Sequence, residues 1–577
     1  MGIMLILSIS VPFVLLGAMA LPAARPMALR IAPWAALPAF AAAVLLPLGT
    51  FHAAPWLFLG GAFALDLTAK VFLVFSAGMW LAAGIYARGY LAANHDSRTL
   101  SFFAFFLGTM GGNLALIPAQ GMITYIAFFA IMSFCAYGLI VHERSTDNLF
   151  AGRVYIAMTI LGEVSAFGGM VWAASLAGGH TAFGDVMAVL MDRPERATIL
   201  LLLFVGFGIK LGVMPLHVWL PLAHPAAPTP ASAVLSGVMI KTGLLIWLRL
   251  FPFDEPAVFD GGALVLVGVG TAFTAALIGM TQTHPKSLLA YSSISQMGLA
   301  AIAIGAGLLM DAGREAILFA VLLFVTHHAI AKSALFLGVG IAAMELSSTM
   351  RRALVAGSAV AGAALAGFPL TSGLGAKAGI KAAASATGMA WTPLLDWLVP
   401  LTGVTTMLLI VRFLFLIAPR PAETHGRPNL HMLIPWAALT LTVPLLPLIV
   451  LATGWAEPRE IGLYPQGIIA ATWPPLLGIA AGLAVWKSAP LRSALGAVRI
   501  PAGDILVPVL GGTAQARLAV RRVVLPTALT AQRMPGKFQS VSAEYRGRIL
   551  QRAAKYETFA LGIILMTAIA IGMAFIL

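Results

Sequence analysis

The sequence predicts an all-α polytopic membrane protein of about 14–16 transmembrane helices, with two inverted repeats containing broken helices. Three observations predict it. Of 577 residues, 60% are hydrophobic and only 10% are charged, against roughly 25% charged in a soluble domain. Apolar runs of about 18 residues or more recur from end to end, the length that crosses a bilayer core. Two of those runs are interrupted by proline or glycine close to a lysine. Irregular backbone is tolerated inside a membrane only where protein or a water-filled cavity surrounds it.

The candidate spans fall at 3–24, 30–50, 64–87, 100–118, 121–141, 154–178, 197–220, 229–250, 262–282, 288–309, 316–343, 353–385, 392–418, 430–454, 467–486 and 558–577. The first lacks a basic leader, and its first positive charge, Arg25, follows the apolar run. It therefore reads as a transmembrane helix rather than a signal peptide. The segment from Asp185 to Arg196 is too charged to span and is placed at the interface. Cys135 is the only cysteine, so an internal disulfide, a thiolate metal cluster and an iron–sulfur site are excluded. It sits in an apolar run and is expected to be a small packing residue. No dinucleotide fingerprint occurs either, so no cofactor and no metal are expected in this chain.

The net charge of +14 is spread over short loops and one C-terminal segment. That pattern reports membrane orientation, not a nucleic-acid partner. Loops after odd-numbered spans hold Arg25, Arg30, Arg88, Arg98, Arg144, Arg153, Lys286, Arg351, Arg352, Arg420 and Arg427. Loops after even-numbered spans hold Arg193, Arg196, Arg314 and Arg459, with Arg249 close by. Positive charge favours the cytoplasmic side, which puts both termini in the periplasm and the chain in the cell inner (plasma) membrane. The stretch from Lys487 to Lys555 holds twelve Lys or Arg and is interrupted by Pro501, Pro508, Pro526 and Pro535. Amphipathic pieces such as Ala514–Leu525 suit anionic headgroups or a docking surface for neighbouring subunits.

An ionisable side chain at mid-membrane costs roughly 2.5–3.5 kcal/mol, so such residues usually face a partner or a hydrated cavity. This chain has a row of them: Glu163, Lys210, Lys241, His327, His328, Lys332 and Lys377. Burial can bring a lysine within reach of neutral pH, so a row of Lys and His can pass protons by successive charging and discharging. Lys210 has an apolar turn on each side. His328 and Lys332 lie four residues apart and share a helix face. Lys286, beside His284 and Pro285 at a span boundary, reads instead as a lysine that snorkels to the headgroups. Lys210 is followed by Pro215, and Gly367, Pro369, Gly373 and Gly375 interrupt the span that holds Lys377.

These residues sit in recognisable strings. GIKLGVMPLHVWLPLAHPAAPTPASAVLSGVMIKTG runs from Gly208 to Gly243, KSLLAYSSISQMG from Lys286 to Gly298, HHAIAKSALFLGVG from His327 to Gly340 and GFPLTSGLGAK from Gly367 to Lys377. Asp66 and YARGYL, Tyr86–Leu91, fit the same pattern more loosely. Together they resemble the antiporter-like, proton-translocating membrane subunits shared by complex I, multisubunit cation/proton antiporters and membrane-bound (hydrogenase-4 type) hydrogenases. The resemblance covers roughly residues 60–400. It implies that Lys210 is the broken-helix lysine of a first half-channel and Lys241 a central relay. It implies that His328 and Lys332, with His327 secondary, relay protons in the second half, and that Lys377 is its terminal lysine.

There is one departure. The family's fifth span carries a glutamate that pairs with the broken-helix lysine, but here the matching string is FFAIMS and Ala130 takes that position. Glu163, in ILGEVSAFGG of the sixth span, is the candidate substitute, with Gly162 and Gly168–Gly169 allowing close helix approach.

The implied organisation is N-terminal helices at 1–118, a first half-channel repeat at 119–250 and a second at 251–418. C-terminal helices at 419–486, a basic cytoplasmic segment at 487–556 and a last helix at 557–577 follow. The expected function is proton translocation as a non-redox subunit of a complex I-like oxidoreductase or membrane hydrogenase. Its partners are then other membrane subunits and the lipid bilayer, and its cargo is protons, with Na+ as the alternative. The other readings are a subunit of a cation/proton antiporter, the energy-coupling subunit of an inorganic-carbon uptake complex, and a scaffold whose channel is defunct.

Overall fold

The computed structural model describes residues 1–506 apart from positions 59, 252, 254–257, 311–313, 420–421, 424–425 and 499. The chain divides into two compact units, Met1–Ile500 and Pro501–Leu577. Only 501–506 of the second are described, so the expected span at 558–577 and most of the basic segment at 487–556 lie outside the described residues.

The protein is a polytopic helical membrane protein. Twelve helices among the described residues are long and apolar enough to cross a bilayer. They coincide in order with twelve of the expected spans. A thirteenth expected span, 30–50, is a pair of helical pieces, Arg25–Trp34 and Leu37–Leu45, bent by 41°. Two more, 197–220 and 353–385, are split. The first becomes Arg196–Leu211 and Leu220–Ala226, the second Ser348–Leu365 and Ser372–Ser385. Gly212, at φ +79°, ends the first helix in the left-handed region, and Gly367, at φ +88°, lies in the second break, a conformation that glycine adopts without a Cβ clash. The two split spans are those that carry Lys210 and Lys377.

A third break was not expected. Thr229–Leu250 crosses as one span, but its helix stops at Gly237 and resumes through a tight turn at Met239–Lys241. One small sheet also departs from the all-α expectation: Thr50–Ala54 pairs antiparallel with Gly61–Leu65. The span expected from position 64 therefore begins as helix only at Leu67, where the Asp66 carboxylate accepts the Ala69 N–H at 2.7 Å and caps the first turn. Arg249 reaches the same corner, 3.6 Å from Asp66 and 2.9 Å from the Ile117 carbonyl.

Burial separates core from periphery. Thr229–Leu250 and Pro285–Gly307 are buried on all sides, and Ile317–Ala342 nearly so, whereas Gly2–Ala20 and Pro465–Lys487 are largely exposed. The outer helices turn apolar faces to lipid. The inner ones are covered by protein, and the polar residues concentrate there. In the loop before Thr99–Leu116, Asp96 lies 2.8 Å from His142 Nε2. Burial alone would raise the Asp96 carboxyl, but hydrogen bonds from His142 and the Arg98 N–H outweigh it and hold the group below its ordinary range.

Close packing at one seam rests on glycine. A Cβ on Gly206 would stand 2.7 Å from Ala166 N and 2.8 Å from Gly162 O, across the seam between Arg196–Leu211 and Thr146–Leu176. Gly162 and Gly169 face this seam, but Gly168, expected to share the role, has open space around it and does not. Gly206→Val should force these helices apart and cost about 1–3 kcal/mol, the usual penalty of overpacking. A lowered thermal midpoint of the detergent-purified protein would report it, and an unchanged midpoint would count against the seam.

Candidate functional site

Lys210 occupies the last turn of Arg196–Leu211 and is 5% exposed. Its Nζ donates to Ser133 Oγ at 3.0 Å and to the Tyr155 hydroxyl at 3.4 Å. The rings of Phe129, Tyr155 and Trp219 lie 5.4, 5.7 and 6.0 Å from it. Ring faces attract an ammonium electrostatically, so this pocket holds a cation with neutral dipoles. Trp219, in the broken stretch, folds back to donate to the Ile209 carbonyl at 2.7 Å. It thereby satisfies a backbone group near the helix break. Tyr155 donates to the Ser133 carbonyl at 2.9 Å, which fixes both acceptors of Lys210.

Glu163 lines the same cavity as Lys210, with Ser133, Tyr155, Thr159 and Trp219. Water centres have about 10 Å³ there, roughly the room that one molecule needs. Tyr155, Thr159 and Glu163 stand four residues apart on one helix ridge. Among the described residues no ion pair within 4.0 Å joins Glu163 to Lys210, and Glu163 Oε1 is buried without a hydrogen-bond partner. The FFAIMS string, which lacks its acid at Ala130, still reaches Lys210 through its last residue, Ser133. Cys135, on the same helix, packs against Gly108, where a Cβ would meet its Sγ at 2.6 Å.

Lys241 is wholly buried and donates to the Ser236 and Gly237 carbonyls, both at 2.8 Å. These are the carbonyls freed by the unexpected break, so the lysine closes the interruption beside it. Ser236 Oγ lies 2.7 Å from Ser293 Oγ. Ser293 donates to the Leu289 carbonyl at 3.0 Å, and Lys332 donates to the same carbonyl at 2.9 Å. Lys241 and Lys332 are thus linked through Ser236, whose carbonyl meets Lys241 and whose hydroxyl meets Ser293, and through the Leu289 carbonyl that Ser293 and Lys332 share. Lys210 and Lys241 are not linked directly. Their segments touch where Gly243 approaches Phe207 so closely that a Cβ would meet its carbonyl at 2.5 Å.

The adjacent histidines diverge. His328 has Lys241 and Lys332 as charged neighbours, and neither of its ring nitrogens has a hydrogen-bond partner among the described residues. His327 Nδ1 lies 2.7 Å from Ser372 Oγ, the first residue of the helix that holds Lys377. One turn of helix thus addresses Lys241 on one side and the Lys377 helix on the other. Lys377 Nζ is buried and has no hydrogen-bond partner among the described residues. A Cβ on Gly367 would stand 2.9 Å from Lys377 Cδ, so the break leaves room for the lysine stem.

Two further residues belong here. Lys286, expected at the headgroups, is 8% exposed and donates to the Ala227 carbonyl at 2.8 Å. Its helix is covered by protein along its length, so the helix start does not open to lipid. His224 is wholly buried and stacks on Phe336 at 4.6 Å, with Lys286 and Lys332 as charged neighbours. Ser133, Tyr155, Trp219, Ser236 and Ser293 were not singled out by the sequence. Trp219, Ser236 and Ser293 lie in the strings around Lys210, Lys241 and Lys286 and Ser133 ends FFAIMS, whereas Tyr155 lies in none of them.

Known proteins resemble this chain in sequence and in fold. Residues 119–402 match the family described as NADH:quinone oxidoreductase/Mrp antiporter, TM. An uncharacterised protein of Mycobacterium tuberculosis (strain H37Rv) is 33% identical over 291 residues, 48% of this chain and 44% of that protein. Hydrogenase-4 component B of Escherichia coli (strain K12) is 27% identical over 289 residues, 48% of this chain and 42% of that protein. The chain thus spans less than half the length of these two relatives. A chain of the Mrp complex from Dietzia sp. DQ12-45-1b shares the fold, with a TM-score of 0.69 at 21% identity over 96% of this chain and 63% of that one. The matched residues 119–402 hold every lysine and histidine of the candidate site, and their likenesses are to antiporter-like membrane subunits of this kind.

Proposed function

We propose that this chain is the proton-translocating, antiporter-like membrane subunit of a complex I-like oxidoreductase or membrane hydrogenase. The observation that carries the reading is the set of buried lysines near helix breaks, Lys210, Lys241 and Lys377, with Lys241 and Lys332 linked through Ser236, Ser293 and the Leu289 carbonyl. Lys210, with Glu163 as its counter-charge, takes up the proton in the first half. Lys241 passes it across the centre, His328 and Lys332 receive it, and Lys377, with His327 beside its helix, is the terminal carrier. The two split spans support reading 119–250 and 251–418 as paired half-channel repeats. Redox chemistry belongs to partner subunits.

A second reading is a subunit of a multisubunit cation/proton antiporter, favoured by the extent of the fold shared with the Mrp complex. Purification of the tagged chain with its companions, followed by vesicle assays, separates the two. Proton uptake driven by electron transfer supports the first. Collapse of a pH gradient on addition of Na+ or K+ without electron transfer supports the second. Neither response in an intact complex contradicts both.

The orientation puts both termini in the periplasm of an inner (plasma) membrane and the Lys487–Lys555 stretch in the cytoplasm. In a Cys135→Ser background, Arg533→Cys should react with an impermeant thiol reagent only after permeabilisation. Labelling in intact cells would reverse the topology.

A further inference from the structure

The line of ionisable groups does not stop at Lys377. Lys377, Lys381 and Ser385 stand four residues apart on Ser372–Ser385 and form one ridge. Two contacts fix what that ridge faces. Lys377 Nζ lies 3.9 Å from the place a Cβ on Gly403 would take. Ser385 Oγ donates to Asp396 Oδ1. Gly403 and Asp396 both belong to Thr392–Ile417, seven residues apart and so on one face. The two faces run antiparallel, and Lys381 sits on the ridge between the two contacts.

The seam becomes more polar and more open towards the 385–392 loop. Lys377 Nζ is buried, Lys381 is half-buried and Ser385 is exposed. Pro400 stands one turn beyond Asp396 inside the second helix. A proline has no N–H, so the Asp396 carbonyl lacks its helical donor and remains an acceptor on the seam. Thr387 and Thr392 hydroxyls meet at 2.7 Å and tie the two helix ends together at the mouth. An ammonium between two such helices is costly unless water or an anion faces it, and a carboxylate stands one ridge position away at the surface.

We infer that the seam between Ser372–Ser385 and Thr392–Ile417 is the hydrated route by which protons leave Lys377, with Lys381 as the next carrier and Asp396 as the anionic acceptor at its mouth. The inference rests on the proton-relay reading of the chain. The Lys377 ammonium passes a proton through water to the Lys381 side chain as that side chain releases one. Lys381 gives it to water held at the Asp396 carboxylate, and bulk solvent removes it. Each carrier returns to its starting state, and no electrons move.

The test uses the full chain in its complex and has two arms. In the first, single cysteines replace Lys381, Ser385 and Ala383 in a Cys135→Ser background, and a charged, impermeant thiol reagent is added from the side of the 385–392 loop. Lys381→Cys and Ser385→Cys should react at similar rates. Ala383→Cys, buried and off the ridge, should react roughly tenfold more slowly, as for a one-unit rise in thiol pKa in apolar surroundings. A Lys381→Cys rate as low as that at 383, with Ser385→Cys reactive, means a dry seam and overturns the inference. This arm needs no transport, so its failure leaves the relay reading untouched.

In the second arm, Lys381→Met should slow proton transport about tenfold. Lys381→Arg keeps the charge and the reach to headgroups but cannot give up a proton. It should be as slow as Lys381→Met, while Lys381→His recovers part of the rate. Full activity in Lys381→Arg would make the residue a membrane anchor and overturn its role as a carrier.

Discussion

Lys332→Ala should reduce proton translocation to the background of vesicles that lack the complex, with assembly intact. The lysine is wholly buried, and its Nζ shares the Leu289 carbonyl with Ser293, whose hydroxyl meets that of Ser236 beside Lys241. Alanine removes that titratable group. It does not orphan the Leu289 carbonyl, which still accepts from Ser293, so the local fold keeps its bonds and the penalty of an unsatisfied group is avoided. Lys210→Ala should behave alike, because Tyr155 and Ser133 remain bonded to one another without it. Moving one charge against 100 mV costs about 2.3 kcal/mol, so a coupled pump with a gap in its relay has no alternative path. Dye-reported acidification of inverted vesicles, beside native gels for assembly, measures both variants. Undiminished pumping in both would remove the relay.

Glu163→Ala should lower transport by at least about tenfold, the rate cost of losing a counter-charge worth ~1.4 kcal/mol in the barrier. An anion near a lysine favours its protonated form and, on withdrawal, favours release. Neutral acceptors and ring faces alone offer Lys210 no such switch. Ala130 lies one turn before Ser133, whose hydroxyl touches Lys210, so a carboxylate at 130 reaches the same neighbourhood. The combined change Glu163→Ala with Ala130→Glu should therefore regain part of the rate. Intact transport in Glu163→Ala alone would show that the acid is not the partner of Lys210.

The long apolar runs made the helices and their order legible, because each must satisfy a bilayer or a bundle. Lysines in those runs were legible for the opposite reason: burying one is costly enough to demand a cause. The links between them were not. Ser133, Ser236 and Ser293 carry small hydroxyls that are cheap to bury and common in membrane helices, and only the fold shows which of them meet. Lys286 was misread because Pro285 marks a helix start, which ordinarily lies near headgroups. Here the whole helix is enclosed and the amine turns to Ala227. The break at Val238 carries no proline to announce it. The lysine that bonds its freed carbonyls lies three residues further on. Gly168 was grouped with its neighbour by sequence, yet successive residues on a helix point about 100° apart.

The central claim is that buried ionisable groups from Lys210 to Lys377 form one connected path. A density map of the assembled complex, at a resolution that shows ordered water, tests it most directly. Water should fill the Lys210–Glu163 cavity, bridge the segments of Lys210 and Lys241 beside Gly243, and connect His328 with the Lys377 amine. A dry apolar gap at either crossing, too wide for a single water to bridge, would contradict it.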